Sequence, residues 1–238
     1  MYIYSFDHYA GYDKLFILND TQGIMPGDLF RINEHYYFAL DDTCAFPENY
    51  THTFTITAGM TISYRKLLTQ KSIDMIHWMV YTHYSTYKSV MRLFIPSDIQ
   101  LLLRHETTSK KKTGQQLIVF PDLWTLIQST SEEFRAQPGV AVASSKHTDK
   151  QKNLIFRGCK TGKIHTLLTT HAEIFQDWKD LKRIVCVEGY KRYMQSMQDP
   201  RYKVVTVLEK MAEMYGATCE QYDCIYNSKT NVFSTTHV

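Results

Sequence analysis

The sequence predicts an α/β protein in two parts, a small strand-rich first part and a larger second part built on a mostly parallel sheet. Three observations carry this. Apolar and polar residues alternate in short β-branched and aromatic runs through the first third. Between Ser72 and Phe94 the period changes to three and four residues. From Gln100 onward, short continuous apolar runs alternate with helical patterns, as strands covered on both faces by helices must. The boundary falls near residue 100, giving parts 1–99 and 100–238.

The elements follow in order. "YIYSFD" alternates and "KLFIL" is a compact apolar strand. "MPGDLFRI" places a Pro-Gly turn before a third strand, and "HYYFALDD" and "YTHTFTITA" supply two more. Ile73, Ile76, Met79, Val80, Tyr84, Tyr87, Val90, Met91 and Phe94 then line one face of one long helix or two short ones, stopped by Pro96. In the second part, "QLLLRH" and "QQLIVF" read as strands and "LWTLIQSTSEEFRA" as a helix ended by "QPG". "VAVASS" is a strand, followed by the helix "TDKQKNLIFRGCKTG" with Thr148 as its cap. "IHTLLTT" and "RIVCVE" are strands, "PRYKVVTVLEKMAEMYG" is a helix stopped at Gly216, and "ATCEQYDCIY" is the last strand.

Composition narrows the function. Hydrophobic residues make up 44% and charged residues 21% of the 238 positions, which is globular material able to bury a core. A net charge of +3 permits a local basic face without requiring one. The five cysteines, Cys44, Cys159, Cys186, Cys219 and Cys224, form no CxxC pair, so no zinc ribbon is expected. An odd cysteine count without a leader pattern fits a reducing cytoplasm. No apolar run reaches the roughly 18–20 residues that span a bilayer.

Catalytic patterns are missing. "GCKTGKI" (158–164) looks like a phosphate-binding loop, but its gap is one residue short of GxxxxGK[ST] and Ile164 stands where the Mg²⁺-binding hydroxyl belongs. It also leads out of a helix toward a strand, opposite to a phosphate loop, and reads as a helix end with a glycine stop. There is no GxSxG, HExxH or GxGxxG. Glu132, Glu133, Glu209 and Glu213 fall on solvated helix faces, and His52, His77, His83 and His171 are scattered as half-buried or surface residues. The basic run "SKKKTG" (109–114) reads as a solvated loop.

One ordered set of motifs is more specific. "FPD" (120–122), "SSKHTD" (144–149), "TTHAEIF" (169–175), "RIVCVEGY" (183–190) and "DPRY" (199–202) stand in the order of "VPE", "HS", "GTRSA-F", "DEEH" and "PRY". In that set the chain resembles the first motor lobe of the PriA family, the primosomal protein N′ helicases that restart stalled replication forks. From Thr170 to Tyr202 the two align without a gap. "YDKLFIL…MPGDLFRI" (12–32) and "IDMIHWMVYTHYSTYKSVMRLFIP" (73–96) are similar to the family's N-terminal domain, which holds the 3′ end of a DNA strand. The resemblance implies a 3′-DNA-binding domain over 1–99 and a single RecA-like helicase lobe over 100–238.

The departures change what is implied. The family's metal-holding aspartate falls on Val187, its glutamate on Glu188, and its remaining acid and histidine on Gly189 and Tyr190. Valine cannot hold Mg²⁺, and one glutamate cannot replace an Asp–Glu pair. "LLLRHETTSKKKTGQQLIVF" leaves no room for a phosphate-loop helix, and "ATCEQYDC" lacks the family's "SAT". Neither catalytic residues nor a metal or cofactor are therefore expected. In the DNA-end pocket Phe16 matches the family's stacking aromatic, while Ile17 and His35 replace its aspartate and glycine. Phe16 keeps two readings, a base-stacking platform and a core residue.

The expected function is a non-catalytic DNA-binding protein on a degenerate motor lobe. It would take single-stranded or branched DNA, with Lys14, Arg31 and Lys110–Lys112 as phosphate contacts and replication or primosome proteins as further partners. Two other readings stand beside it. One is an ATP-dependent helicase subunit completed by another chain. The other is a protein-interaction scaffold without DNA.

Overall fold

The computed structural model describes residues 1–6, 15–19, 21–44, 53–54, 59–96, 114–192, 194–222, 225–226 and 233–234. It is a mixed α/β protein with one largely antiparallel sheet, one parallel sheet and flanking helices. The chain divides into two units, Met1–Ile95 and Pro96–Val238. Lys14, His52, Lys110–Lys112 and Cys224 lie outside the described residues, as does the expected strand "LLLRH".

The first unit holds β1 (Tyr2–Ser5), β2 (Leu15–Leu18), β3 (Leu29–Ile32), β4 (His35–Ala39), β5 (Thr53–Phe54) and β6 (Met60–Tyr64), in the order β5-β2-β1-β4-β3-β6. All pairs are antiparallel except β2 with β5. The period-two alternation does what it must. Ile3, Leu18, Phe30, Ile32, Tyr37 and Ala39 gather in one buried cluster, with Phe16, Met60 and Ile62 packed against it. β6 is a strand that the sequence pattern did not single out, and it completes the sheet by pairing with β3.

The Pro-Gly turn before β3 is built into this unit by two contacts. At Gly27 φ is +89° and an added Cβ would stand 2.3 Å from the Leu68 carbonyl oxygen, so only glycine fits. Next to it the fully buried Asp28 carboxylate accepts from Arg65 Nη1 at 2.5 Å and from the backbone N–H groups of Met25 and Lys66 at 3.0 Å each.

The helical stretch after β6 is two helices, α1 (Gln70–His83) and α2 (Tyr87–Phe94). Tyr84 takes a left-handed conformation at φ 48° and ends the first. Thr86 caps the second by accepting from the Ser89 N–H. Ile95, extended ahead of Pro96, ends it.

The second unit is a parallel sheet of β7 (Gln115–Phe120), β8 (Val140–Ala143), β9 (Thr166–Thr170), β10 (Leu181–Val187) and β11 (Thr218–Tyr222), in the order β11-β10-β7-β9-β8. Between them run α3 (Leu123–Ser129), α4 (Glu132–Arg135), α5 (Asp149–Thr161) and α6 (Val204–Tyr215), and a short antiparallel pair, β12 (Ile225–Tyr226) with β13 (Phe233–Ser234), follows. The sequence read "LWTLIQSTSEEFRA" as one helix. It is two, because Thr130 is extended and Ser131 starts a new turn by accepting from the Phe134 N–H.

The two edges of β10 ("RIVCV") are occupied by β7 ("QQLIVF") and β11. α5 carries a full capping box between Thr148 and Gln151, and its C-terminus is Gly162 at φ 76°. "GCKTGKI" is therefore a helix end, as its order relative to the strand required.

The buried Gln115 side chain stitches one end of this sheet together. Its amide nitrogen donates to the carbonyls of Cys159 at 2.8 Å and Ile164 at 2.7 Å, and its oxygen accepts from the Asp180 N–H at 2.8 Å. Among the described residues, no helix is long and apolar enough to cross a membrane.

Candidate functional site

In an open parallel sheet, ligands sit where neighbouring strands send their connections in opposite directions, outside the strands' C-terminal ends. Here β7 leads away on one side toward β8 and β10 on the other toward β11, so that point lies between the ends of β7 and β10. The sheet brings Phe120, Pro121 and Asp122 to one side of it and Val187, Glu188, Gly189 and Tyr190 to the other.

The residues at this point close it. Val187 is only 4% exposed and belongs to an apolar cluster with Phe120, Leu126, Leu168 and Val185, against which Val142 and Tyr222 pack. Glu188 adopts a left-handed φ of 49°, unusual outside glycine. Its N–H donates to the Tyr222 carbonyl at 2.8 Å, its carbonyl accepts from the Lys191 N–H at 3.0 Å, and its carboxylate lies 3.7 Å from Lys191 Nζ.

Gly189 is required for space rather than for φ. A Cβ there would stand 2.8 Å from Val205 Cγ2 and 3.0 Å from Cys186 Sγ. Both neighbours are short, and the β-branched valine on α6 has little rotamer freedom with which to give way. Any acidic side chain at 189 meets the same obstruction. Asp122 is committed as well, because its carboxylate caps α3 by accepting from the Thr125 N–H at 2.7 Å and hydroxyl at 3.1 Å. Among the described residues, no group of three His, Cys, Asp or Glu side chains is placed to hold a metal ion.

"DPRY" lies in the loop between β10 and α6. Pro200 and Tyr202 are buried, and the Tyr202 ring meets Phe175 edge to face at 5.5 Å. Burial pushes its hydroxyl well above the ordinary tyrosine pKa, with the nearby Glu173 adding to the effect. Asp199 and Arg201 stay exposed. The proline and the tyrosine anchor the loop, and the arginine faces solvent.

The N-terminal residues are not gathered into one pocket. Phe16 stands opposite Ile3 and packs against the sheet's apolar cluster. Arg31 alternates with Phe30 and Ile32 of that cluster and so lies on the opposite face. His35 opens β4 opposite Ile32, four residues from the Ala39 that shares β1 with Phe16, roughly 13 Å away at about 3.3 Å per residue. Ile17 faces away from Phe16's cluster, opposite Tyr2.

Sequence reasoning missed a polar chain in the first unit. His77 Nε2 is 3.0 Å from Asp41 Oδ1, and His77 Nδ1 is 2.7 Å from the hydroxyl of the fully buried Tyr87. Gln70 donates to the second Asp41 oxygen at 2.8 Å. Burial would raise the Asp41 pKa, but the hydrogen bonds from His77 and Thr43 outweigh it and hold the carboxyl well below its usual range. With Tyr87 inaccessible, the chain fastens α1 and α2 to the end of β4. His77 and Tyr87 stand at helical spacings in the sequence, but their link to Asp41 is a tertiary contact that no local pattern announces.

The other candidates are accounted for locally. Glu132, Glu133, Glu209 and Glu213 are exposed, and Glu213 pairs with Lys210 at 2.8 Å. His83 lies edge-on to Trp78, and burial lowers the His171 pKa. Cys44, Cys159, Cys186 and Cys219 are free thiols, and burial pushes Cys186 up to about 12.

No protein-family model matches this chain, and none of the curated proteins compared with it is a match.

Proposed function

We propose that the chain is a non-catalytic DNA-binding protein related to the PriA family, its second unit a RecA-like lobe that has kept its scaffold and lost its nucleotide site. The observation that carries the reading is the apolar closure at the end of β10. Val187 is buried where a metal-holding acid would stand, and Gly189 has no room for a side chain. Folds host activity only through the groups at their sites, and the single carboxylate of Glu188 beside a buried valine is not the acid pair that such motors use for Mg²⁺.

The charge distribution supports nucleic acid as the ligand of the second unit. Residues 96–238 carry 20 Lys and Arg against 15 Asp and Glu, whereas residues 1–95 carry 7 against 9. That acidic balance favours a second reading for the first unit alone, as a protein-contact domain. It argues against Arg31 as part of a broad phosphate-binding surface.

The test pairs two assays on the whole chain. An ATPase assay with and without DNA should give no turnover above background. A gel-shift comparison should give binding to single-stranded or forked DNA that weakens with salt, because neutralised phosphates release counterions. DNA-stimulated hydrolysis abolished by Glu188→Gln would overturn the first half, and no shift at low salt the second.

A further inference from the structure

The parallel sheet ends on one side in β8, and among the described residues no strand pairs with its outer edge. Which main-chain groups face outward follows from the ladder to β9. Val140 to Ala143 lie opposite Thr166 to Thr169, and the Thr166 N–H donates to the Gly139 carbonyl at 3.1 Å. Along a strand the bonding groups alternate in direction, so Gly139, Ala141 and Ala143 bond toward β9 while Val140 and Val142 turn theirs outward. The Val140 N–H is taken up by the Gln137 carbonyl at 3.1 Å. That leaves the Val142 N–H, the Val142 carbonyl and the Val140 carbonyl without a partner among the described residues.

An open edge accepts another strand unless charge, proline or a bulge blocks it. β8 reads "VAVA" and has none of these, whereas β11 at the opposite edge carries Glu220. Val140, Ala141 and Val142 are half-buried beside a fully buried β9. Turns at both ends limit the length of any partner strand. The Val140 N–H closes one, and the Ser144 carbonyl closes the other by accepting from the His147 N–H at 3.1 Å. A flexible peptide would give up its conformational freedom for few bonds here. A second folded copy brings the same edge already formed.

We infer that β8 is the contact between two copies of this chain, paired antiparallel about Val142, so that two five-stranded sheets run on into one another. Each Val142 N–H donates to the Val142 carbonyl of the other copy, and each Ser144 N–H to the other Val140 carbonyl. The second bond replaces a long one, 3.4 Å from the Ser144 N–H to His147 Nδ1. A twofold contact needs a patch complementary to itself, and a residue with donor and acceptor both facing out supplies one. The charges agree. Antiparallel pairing sets the turn after one β8 against the turn before the other. The first carries the exposed Lys146, which makes no ion pair among the described residues. The second follows α4, which packs over β8 and opens with the exposed Glu132 and Glu133. Arg135 is hydrogen-bonded to the carbonyls of Ile127 and Thr130 rather than to either acid. Opposite charges thus meet at both ends of the paired strands.

The inference rests on the sheet edge alone and holds whether or not the chain binds DNA. The experiment is analytical ultracentrifugation of the full chain across micromolar concentrations, with amide hydrogen exchange at each. The mass should rise from monomer to dimer, and the Val142 amide should exchange more slowly as it does. Val142→Pro removes the outward N–H and spares the ladder to β9, as an edge position allows. It should weaken dimerisation about 5- to 150-fold, because each copy loses one main-chain bond. Val142→Ile keeps the N–H and should dimerise like wild type. Lys146→Glu should weaken the dimer, and adding Glu132→Lys and Glu133→Lys to the same chain should restore it. These three positions are exposed, so the charge exchange decides the matter even if circular dichroism shows Val142→Pro unfolded.

A chain that stays monomeric at every concentration overturns the inference. A dimer with unchanged Val142 exchange, indifferent to the charge variants, overturns it too, since the contact then lies elsewhere. Slowed Val142 exchange in a monomer given an extended valine–alanine peptide would make the edge a strand-binding site for another protein, and would equally rule out self-pairing.

Discussion

A β-carbon on Gly189 would stand 2.8 Å from Val205 Cγ2, so the turn after β10 and the first turn of α6 touch through a glycine. Gly189→Ala should therefore destabilise the chain by about 1–3 kcal/mol, the usual cost of overfilling a packed site. Val187→Asp should cost more, because it places a carboxylate in an apolar cluster without a partner. Urea denaturation measures both. A Gly189→Ala variant as stable as wild type would show that Val205 and Cys186 give way freely.

Gln115 offers a second test. Gln115→Leu keeps the volume but strands the Ile164 carbonyl and the Asp180 N–H, while the Cys159 carbonyl keeps the N–H groups of Gly162 and Lys179, for a loss of about 2–4 kcal/mol. Gln115→Glu should be worse. It retains the acceptor for Asp180 but turns a carboxylate oxygen toward the carbonyls of Cys159 and Ile164. Thermal or chemical denaturation should rank wild type above Leu and Leu above Glu.

Glu220 gives a dependence on pH. Arg183 holds it bidentately, Nε to Oε1 at 3.0 Å and Nη2 to Oε2 at 2.7 Å, and the Tyr222 hydroxyl donates to it as well. These bonds lower its pKa to about 2. A carboxyl depressed on folding contributes stability that is present above its unfolded pKa, about 4.3, and is lost as pH falls through the folded value. Glu220→Gln should therefore be less stable than wild type near neutrality, and the gap should close between about pH 4 and pH 2. A gap that stays constant with pH would assign the effect to packing.

Phe16 separates core from binding surface. Because it packs against the cluster of Ile3, Phe30 and Ile32, Phe16→Ala should cost roughly 2–3 kcal/mol, somewhat less than for a fully buried ring. Oligo-dT affinity of the folded fraction should be unchanged. Unaltered stability with weakened DNA binding would restore the stacking platform at this position.

Much of the fold was legible because local chemistry and tertiary structure agree in it. Thr148 and Gln151 form the capping box their spacing announces, Gly162 and Gly216 stop their helices, and the apolar run "RIVCV" is an inner strand. What escaped was set by contacts distant in sequence. Nothing local in "GMTISY" shows that β3 has an edge for it, and the order of parallel strands depends on crossovers. At the candidate site, Val187 was legible as the absence of an acid. The obstruction at Gly189 was not, because it belongs to Val205 on a helix the chain reaches only after a long loop.

That obstruction also constrains the paths by which this sequence can change. An acid at 189 is blocked until Val205 is trimmed, and trimming Val205 first leaves a gap beside a glycine with nothing to fill it. Each single step lowers stability while only the pair relieves the crowding, so the two positions are epistatic. A chain close to its stability threshold crosses such a valley poorly. The close fit of one glycine against one valine acts as a ratchet, making the closed end of β10 far easier to keep than to open.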